Sequence, residues 1–194
     1  VGENAAIIAT GMRGKVYVID KSKERLNQLH EMFGDKIIPT ESDKADLKKL
    51  VSNCDLLVGG VLIPGAEAPK LVTKEMIKNM KRGSVVVDVA IDQGGCVETS
   101  KPTTHANPTY LVNDVVHYCV ANMPGGVPRT STMALNQATL PLLVKLADQG
   151  YKRTLRENKN YLAGLNVYKG KVTFKGVADA LNLNYTPAEQ AILE

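Results

Sequence analysis

The sequence predicts a Rossmann-like, doubly wound parallel α/β sheet followed by a helical segment. Three observations carry that expectation. Short apolar runs at 16–20, 55–61, 84–91 and 115–120 alternate with helix-patterned stretches. Strands that are apolar on both faces and separated by helices imply a parallel sheet covered on each side. The first of these runs closes on a carboxylate, Asp20, eighteen positions (20 − 2) after Gly2, which is close to the distance of about 20 from glycine fingerprint to ribose-binding acid in dinucleotide-binding units. From Val127 the alternation stops and helices take over.

The elements follow in order. Ile7, Ile8 and Met12, with the small Ala5, Ala6 and Ala9, suit the packed face of a helix that Gly11 and Gly14 end. Lys15–Asp20 is a β-rich run. Ser22–Phe33 places Leu26, Leu29, Met32 and Phe33 at helical spacing, Ile37-Ile38-Pro39 reads as a short strand, and Asp43–Asn53 as a helix carrying Leu47, Leu50 and Val51. Asp55–Val61 is a nearly continuous apolar strand. Thr73–Met80 is a short helix with Thr73 as its N-cap. Ser84–Ile91 and Val115–Val120 are the remaining strands. Val127–Gln149 has a long helical pattern stopped by Gly150, which Pro141 should kink or split. Gly164–Phe174 looks like a β-hairpin around Lys169-Gly170-Lys171. Lys175–Leu183 and a stretch from Thr186 are the last helices, with Thr186-Pro187-Ala188-Glu189 as a capping box and Pro at the first helical position. Asn122–Pro128 is the boundary, so residues 1–128 form one domain and residues 129–194 belong to another.

Composition narrows the function. The chain has 194 residues, 44% hydrophobic and 23% charged, with a net charge of +4, which are ordinary globular values. Lys21, Lys23, Arg25, Lys48, Lys49, Lys78, Lys81 and Arg82 are scattered among acids, and there are two Phe and no Trp. This lacks the basic stripe of a nucleic-acid binder. No apolar stretch approaches a membrane span, and no secretory signal is visible. Cys54, Cys96 and Cys119 are odd in number and lack metal spacing, which suits reduced thiols in a cytoplasmic protein.

Four segments could carry chemistry. Gly2 suits the third glycine of a G-x-G-x-x-G turn, where a missing side chain lets helix and sheet approach closely; the first strand and two glycines are then absent from this chain. The alternative is an N-terminal helix with an incidental glycine. Asp20 at a strand end would accept hydrogen bonds from an adenosine ribose and favour NAD over NADP, whereas Lys21, Lys23 and Arg25 beside it could welcome a 2′-phosphate. A solvated strand-end Asp is the plainer reading. The loop Val61–Leu71 leaves a strand where ligands bind in open sheets, though its Pro and Gly also suit an ordinary turn.

Asp92-Gln93-Gly94-Gly95 leaves the buried run Val85–Ile91. A carboxylate there can shuttle protons or stabilise a cationic imine, or merely cap the next segment. Asp88 shares the strand face of Asp92 and reads as a structural hydrogen-bonder, because a mid-strand acid needs a fixed partner. Ala121-Asn122-Met123-Pro124 could position a ring with the Asn amide and Met thioether, or simply turn. The three histidines form no metal constellation, and His105 and His117 read as surface or hydrogen-bonded structural residues.

Together, Val61–Leu71, Asp88–Gly95, Lys101–His105, His117–Thr132 and Tyr185–Glu189 resemble alanine dehydrogenases across the whole chain. The related proton-translocating transhydrogenase domain matches these loops less well. The resemblance implies reversible, NAD-dependent oxidative deamination of L-alanine to pyruvate and ammonia. It implies that Asp20 holds the adenosine ribose of NAD with Arg25 and Ser42 on the adenosine side, that Gly2 belongs to the glycine turn of the cofactor site, and that Val61, Leu62, Leu71, Val89, Ala90, Ile91, Asp92, Val120, Ala121, Asn122 and Met123 line the cofactor. Asp92 is the expected catalytic carboxylate. The family is a hexamer, so a homo-oligomer is expected. The family's tail folds onto its substrate domain, the place implied for residues 129–194. Its catalytic histidine, and the lysine and arginine that grip the substrate carboxylate, lie upstream of Val1, so the expectation is a C-terminal fragment that is inactive alone. Two alternatives stand beside it: a non-catalytic dinucleotide-binding or interaction module, and a transhydrogenase nucleotide-binding domain.

Overall fold

The computed structural model describes residues 1–193, and its chain divides into two units. The first comprises Val1–Leu62 with Ala68–Ala121, and the second Ile63–Glu67 with Asn122 onward.

The first unit alternates as the sequence predicts: α1 (Gly2–Gly11), β1 (Val16–Asp20), α2 (Lys23–Phe33), β2 (Ile37–Glu41), α3 (Leu47–Asn53), β3 (Leu56–Gly59), α4 (Lys74–Lys78), β4 (Val85–Asp88), β5 (Thr109–Val112) and β6 (Val115–Tyr118). Side chains set the helix starts. Ser22 Oγ accepts from Arg25 N at 3.1 Å and Thr73 Oγ1 from Met76 N at 3.2 Å. Asp46 accepts from Lys49 N at 3.0 Å, so α3 begins at Leu47 and not at Asp43; the cap sits three residues deeper than the polar run suggests.

β3, β4 and β6 are parallel neighbours, and β5 adds an antiparallel edge in the order β3-β4-β6-β5. The fold is Rossmann-like α/β with a mostly parallel sheet. β5 is absent from the sequence reading, yet its turn is legible: Asn113 and Asp114 both take positive φ, 51° and 62°, as two-residue hairpin turns require. β1 and β2 pair in parallel as a separate ladder, with Asp20 opposite Glu41. Among the described residues β1 pairs only with β2, and β3 only with β4. Tyr17 on β1 and Leu56 and Val58 on β3 are exposed. The core lies on the four-stranded side: Val51, Val72, Ile77, Val86, Val97 and Val115 are almost wholly shielded, each worth about 1.5–3 kcal/mol on transfer from water.

Three local expectations are corrected here. In α1 only Ala6 is buried, while Ile7, Ile8 and Met12 are exposed. A Cβ at Gly2 would meet nothing within 4 Å, so close packing does not demand that glycine. The tight approach falls instead at Gly60, where a Cβ would lie 3.0 Å from the Val1 side chain. Asp88 and Asp92 do not share a strand face: β4 stops at Asp88, whose carboxylate caps a 3-10 turn over Val89–Gln93.

The second unit contains α5 (Pro128–Gln149), α6 (Tyr151–Glu157), α7 (Lys159–Ala163), β7 (Val167–Tyr168), β8 (Lys171–Val172), α8 (Lys175–Leu181) and α9 (Ala188–Ala191). Pro141 does not split α5, which runs through it; a proline removes one donor, and the rest of a long helix holds the axis. The β7–β8 hairpin forms as expected, with Lys169 and Gly170 at φ 47° and 80°. The capping box does not form. Thr186 N donates to Val172 O at 2.9 Å, Tyr185 bridges to Val172, and Pro187 becomes the N-cap of α9. Strand-like pairing takes Thr186 before the helix can. Gly65, at φ +74°, lies flat against the Phe174 ring with no room for a Cβ, which ties Ile63–Glu67 to this unit.

Candidate functional site

Parallel strands place their carboxyl ends on one edge of a sheet, and there the sequence-predicted residues gather. Val61 and Leu62 follow β3, Val89–Asp92 follow β4, and Val120 and Ala121 follow β6. In the other ladder Asp20 is the last residue of β1, and Ser42 follows β2 with its N–H donating to Asp20 O at 3.0 Å. Leu71 donates its N–H to Cys96 O at 2.8 Å, which lays the end of the Val61–Leu71 loop along the turn after β4. Asn122 and Met123 open the second unit. Asn122 takes the left-handed conformation at φ 57° before the 3-10 turn Met123–Gly126.

Asp20 is half-buried at the end of β1. Its Oδ1 accepts from Ser22 N at 2.8 Å, fixing the carboxylate at the strand end. Two of the three cations beside it, Lys23 and Arg25, face acids. Arg25 pairs with Glu3, and Lys23 lies 3.5 Å from Glu41. Glu41 also holds Lys44 at 2.8 Å, and that hydrogen bond, more than the charge of Lys23, keeps its carboxyl below the ordinary value.

The turn after β4 is built around a buried charge. Asp88 has no exposed surface. Its Oδ1 accepts from Ala90 N at 3.1 Å and Cys96 Sγ at 3.5 Å, and its Oδ2 from Val97 N at 3.1 Å and Ser100 Oγ at 2.6 Å. This bears out the hydrogen-bonding role expected of it. Burial, with the Asp88 charge next in effect, pushes the Cys96 thiol up to about 12. Ala90 and Ile91 are buried and Val89 is half-buried, whereas Asp92 is exposed and its side chain has no hydrogen bond or ion pair among the described residues.

His117 is the buried histidine of this region. Its Nδ1 donates to Val115 O at 3.1 Å, so its Nε2 is left to accept from Thr99 Oγ1 at 2.8 Å. Tyr110 stacks on its ring at 5.1 Å. Desolvation holds the imidazole below its ordinary value and therefore neutral. No cluster of metal-ligating side chains is present among the described residues, the three cysteines are free thiols, and no helix there is long and apolar enough to cross a membrane.

Two contributors were not legible in the sequence. Glu3 lies 22 positions from Arg25, and Lys70, whose ammonium donates to Gly94 O and to Gly95 O at 2.8 Å, lies 24 and 25 positions from its partners. No local pattern announces either contact.

Comparison with known proteins identifies the family and supports the Rossmann-like fold. The family model for the alanine dehydrogenase/PNT C-terminal domain matches residues 1–175. An alanine dehydrogenase of Halomonas elongata is 54% identical over 99% of this chain and 52% of its own length. Alanine dehydrogenase 2 of Staphylococcus aureus is 52% identical over 98% of this chain and 52% of its own. A solved L-alanine dehydrogenase superposes with a TM-score of 0.79 at 46% identity, covering 92% of this chain and 49% of that one. A transhydrogenase from Sinorhizobium meliloti gives 0.64 at 26% identity, covering 75% of this chain and 41% of that one. The chain thus spans about half the length of the curated relatives it matches.

Proposed function

The chain belongs to the alanine dehydrogenase/PNT C-terminal domain family, and from that premise we propose that it supplies the NAD-binding half of an enzyme that reversibly deaminates L-alanine to pyruvate and ammonia. The observation that carries the proposal is the shared edge of β3, β4 and β6, from which Val61, Leu62, Val89, Ala90, Ile91, Asp92, Val120 and Ala121 emerge together, as ligand crevices of open parallel sheets do.

The residues fit a dinucleotide. Gly2, in the first turn of α1, is proposed beside the pyrophosphate. The carboxylate of Asp20, held through Oδ1 by the Ser22 N–H, suits ribose hydroxyls, with Arg25 and Ser42 proposed beside it, and the engagement of Arg25 and Lys23 by acids supports NAD over its 2′-phosphorylated form. Leu71, Asn122 and Met123 complete the proposed lining. Bound NAD would supply the acceptor for the hydride leaving the amino-bearing carbon.

Asp92 is the proposed catalytic carboxylate. Being exposed and, among the described residues, without a side-chain partner, it is available to stabilise a cationic imine derived from the substrate or to relay a proton for the attacking water. Residues 1–128 are proposed as the nucleotide domain, and residues 129–194 as part of the substrate domain. α5 supports an assembly larger than this chain, since it buries no residue while exposing Met133, Leu135, Leu140, Leu142, Leu143 and Val144. A homohexamer in the cytoplasm belongs to the same proposal, and three free thiols fit a reducing compartment.

The test is NADH formation from L-alanine, measured for the chain alone and for the complete polypeptide its gene encodes. Turnover is expected only from the latter, because hydride transfer needs donor and acceptor held at near-attack distance. Ordinary turnover by the chain alone would refute the division of labour. Failure of the complete polypeptide to oxidise L-alanine would refute the substrate. As a second arm, Asp20→Ala should weaken NADH binding by roughly tenfold or more, the scale of a lost charge-assisted hydrogen bond; unchanged binding would remove Asp20 from the site.

A further inference from the structure

Among the described residues the Asp92 side chain has no partner, so the backbone of its turn is what aims it. That backbone is intrinsically weak: one 3-10 turn over Val89–Gln93 followed by Gly94 and Gly95 at φ 84° and 77°. Short 3-10 segments have poor hydrogen-bond geometry, and glycines have the most conformational freedom to lose. Something outside the turn has to hold it.

Two charged side chains do. Asp88, fully buried, takes Ala90 N at the start of the turn and Val97 N beyond its end, one on each carboxylate oxygen. Ser100 Oγ at 2.6 Å and Cys96 Sγ at 3.5 Å fix the carboxylate in turn. The loop is shaped around this group: a Cβ on Gly95 would stand 2.7 Å from Asp88 Oδ2. Lys70 holds the other side of the loop, its ammonium donating to the carbonyls of Gly94 and Gly95. Flanking it, Ala68 N donates to Gln93 O and Leu71 N to Cys96 O, both at 2.8 Å. The carbonyl bonded by Ala68 belongs to the residue directly after Asp92.

We infer that Asp88 and Lys70 are positioning residues for Asp92, a carboxylate and an ammonium that clamp the Val89–Val97 turn so that the reacting carboxylate keeps one place. The inference rests on the reading of Asp92 as the catalytic carboxylate. An amide at position 88 cannot do the same work, because its NH2 would face either the Ala90 or the Val97 N–H. Methionine at position 70 keeps the stem and removes the donors.

The experiment uses the complete polypeptide and reads two quantities: amide hydrogen exchange across residues 89–97, and kcat and KM with L-alanine and NAD. Lys70→Met should raise exchange in that segment about tenfold, the factor expected when one charge-assisted bond is lost, with the melting temperature and exchange elsewhere unchanged. It should lower kcat by roughly ten- to a hundredfold, with KM for NAD moving less than about threefold, as misplacing a reacting group does. Lys70→Arg should restore most of both losses. Asp88→Asn should have the larger effect where it folds; if it does not fold, Lys70→Met decides alone. Unchanged exchange in Lys70→Met overturns the clamp, and raised exchange with kcat intact overturns its role in positioning. Asp92→Asn is assayed separately: if it keeps wild-type kcat, the reading of Asp92 has failed, while the exchange result still judges the clamp.

Discussion

Replacing Gly95 by alanine isolates the cost of crowding the buried carboxylate. Two penalties combine there. The backbone stands at φ +77°, where an L residue costs about 1–2 kcal/mol. The new Cβ would also stand 2.7 Å from Asp88 Oδ2 and 3.1 Å from Ser100 Cβ, and neither neighbour is the free end of a flexible chain. Asp88 is held by four donors, and Ser100 is one of them. Forcing such packed atoms apart costs about 1–3 kcal/mol more, giving a total of about 2–5 kcal/mol. Gly83 is the matched control. Its φ is +81°, yet a Cβ there meets nothing within 4 Å, so Gly83→Ala should cost only the backbone part, about 1–2 kcal/mol. With a urea dependence of about 2 kcal/mol per molar, Gly95→Ala should lower the unfolding midpoint by about 1–2.5 M, and Gly83→Ala by about 0.5–1 M. Equal shifts for the two variants would show that the carboxylate yields freely, and the claim that the loop is shaped around Asp88 would fall with them.

Two further outcomes follow from buried groups. Desolvation depresses His117 below its ordinary 6.5 in the folded protein, so as pH falls through about 6.5 the unfolded chain takes up that proton first and stability drops. The contribution is complete above that pH and is lost toward the lower folded value; His117→Gln should flatten the decline in urea midpoint between about pH 7.5 and about pH 5, and an equal decline in both proteins would contradict it. Cys96, pushed up to about 12, should remain a thiol at neutral pH and alkylate about a thousandfold more slowly than an ordinary cysteine until the protein unfolds. Rapid iodoacetamide labelling of Cys96 in the native protein, read by peptide mass, would contradict that assignment.

Interactions within a few residues are those the sequence by itself determined. Ser22 and Thr73 cap α2 and α4 because their hydroxyls reach an amide three residues on, a geometry the chain carries locally. Lys169-Gly170 makes the β7–β8 turn for the same kind of reason. The apolar runs of β3, β4 and β6 announce covered strands, and the placing of Asp20 and Ala121 at or beyond strand ends follows from spacing alone.

Only the tertiary structure decided which partners arrive from far along the chain. Thr186 loses its capping role to Val172, fourteen positions back (186 − 172). Asp92 lies beyond the strand because Asp88, gathering donors from Ala90 to Ser100, ends β4 early. Lys70 reaches the glycine turn across 24 residues and Glu3 reaches Arg25 across 22. A propensity weighs tenths of a kcal/mol per residue, whereas leaving a buried carboxylate or amide unpaired costs several times that. Long-range satisfaction of polar groups therefore overrides local preference wherever the two disagree.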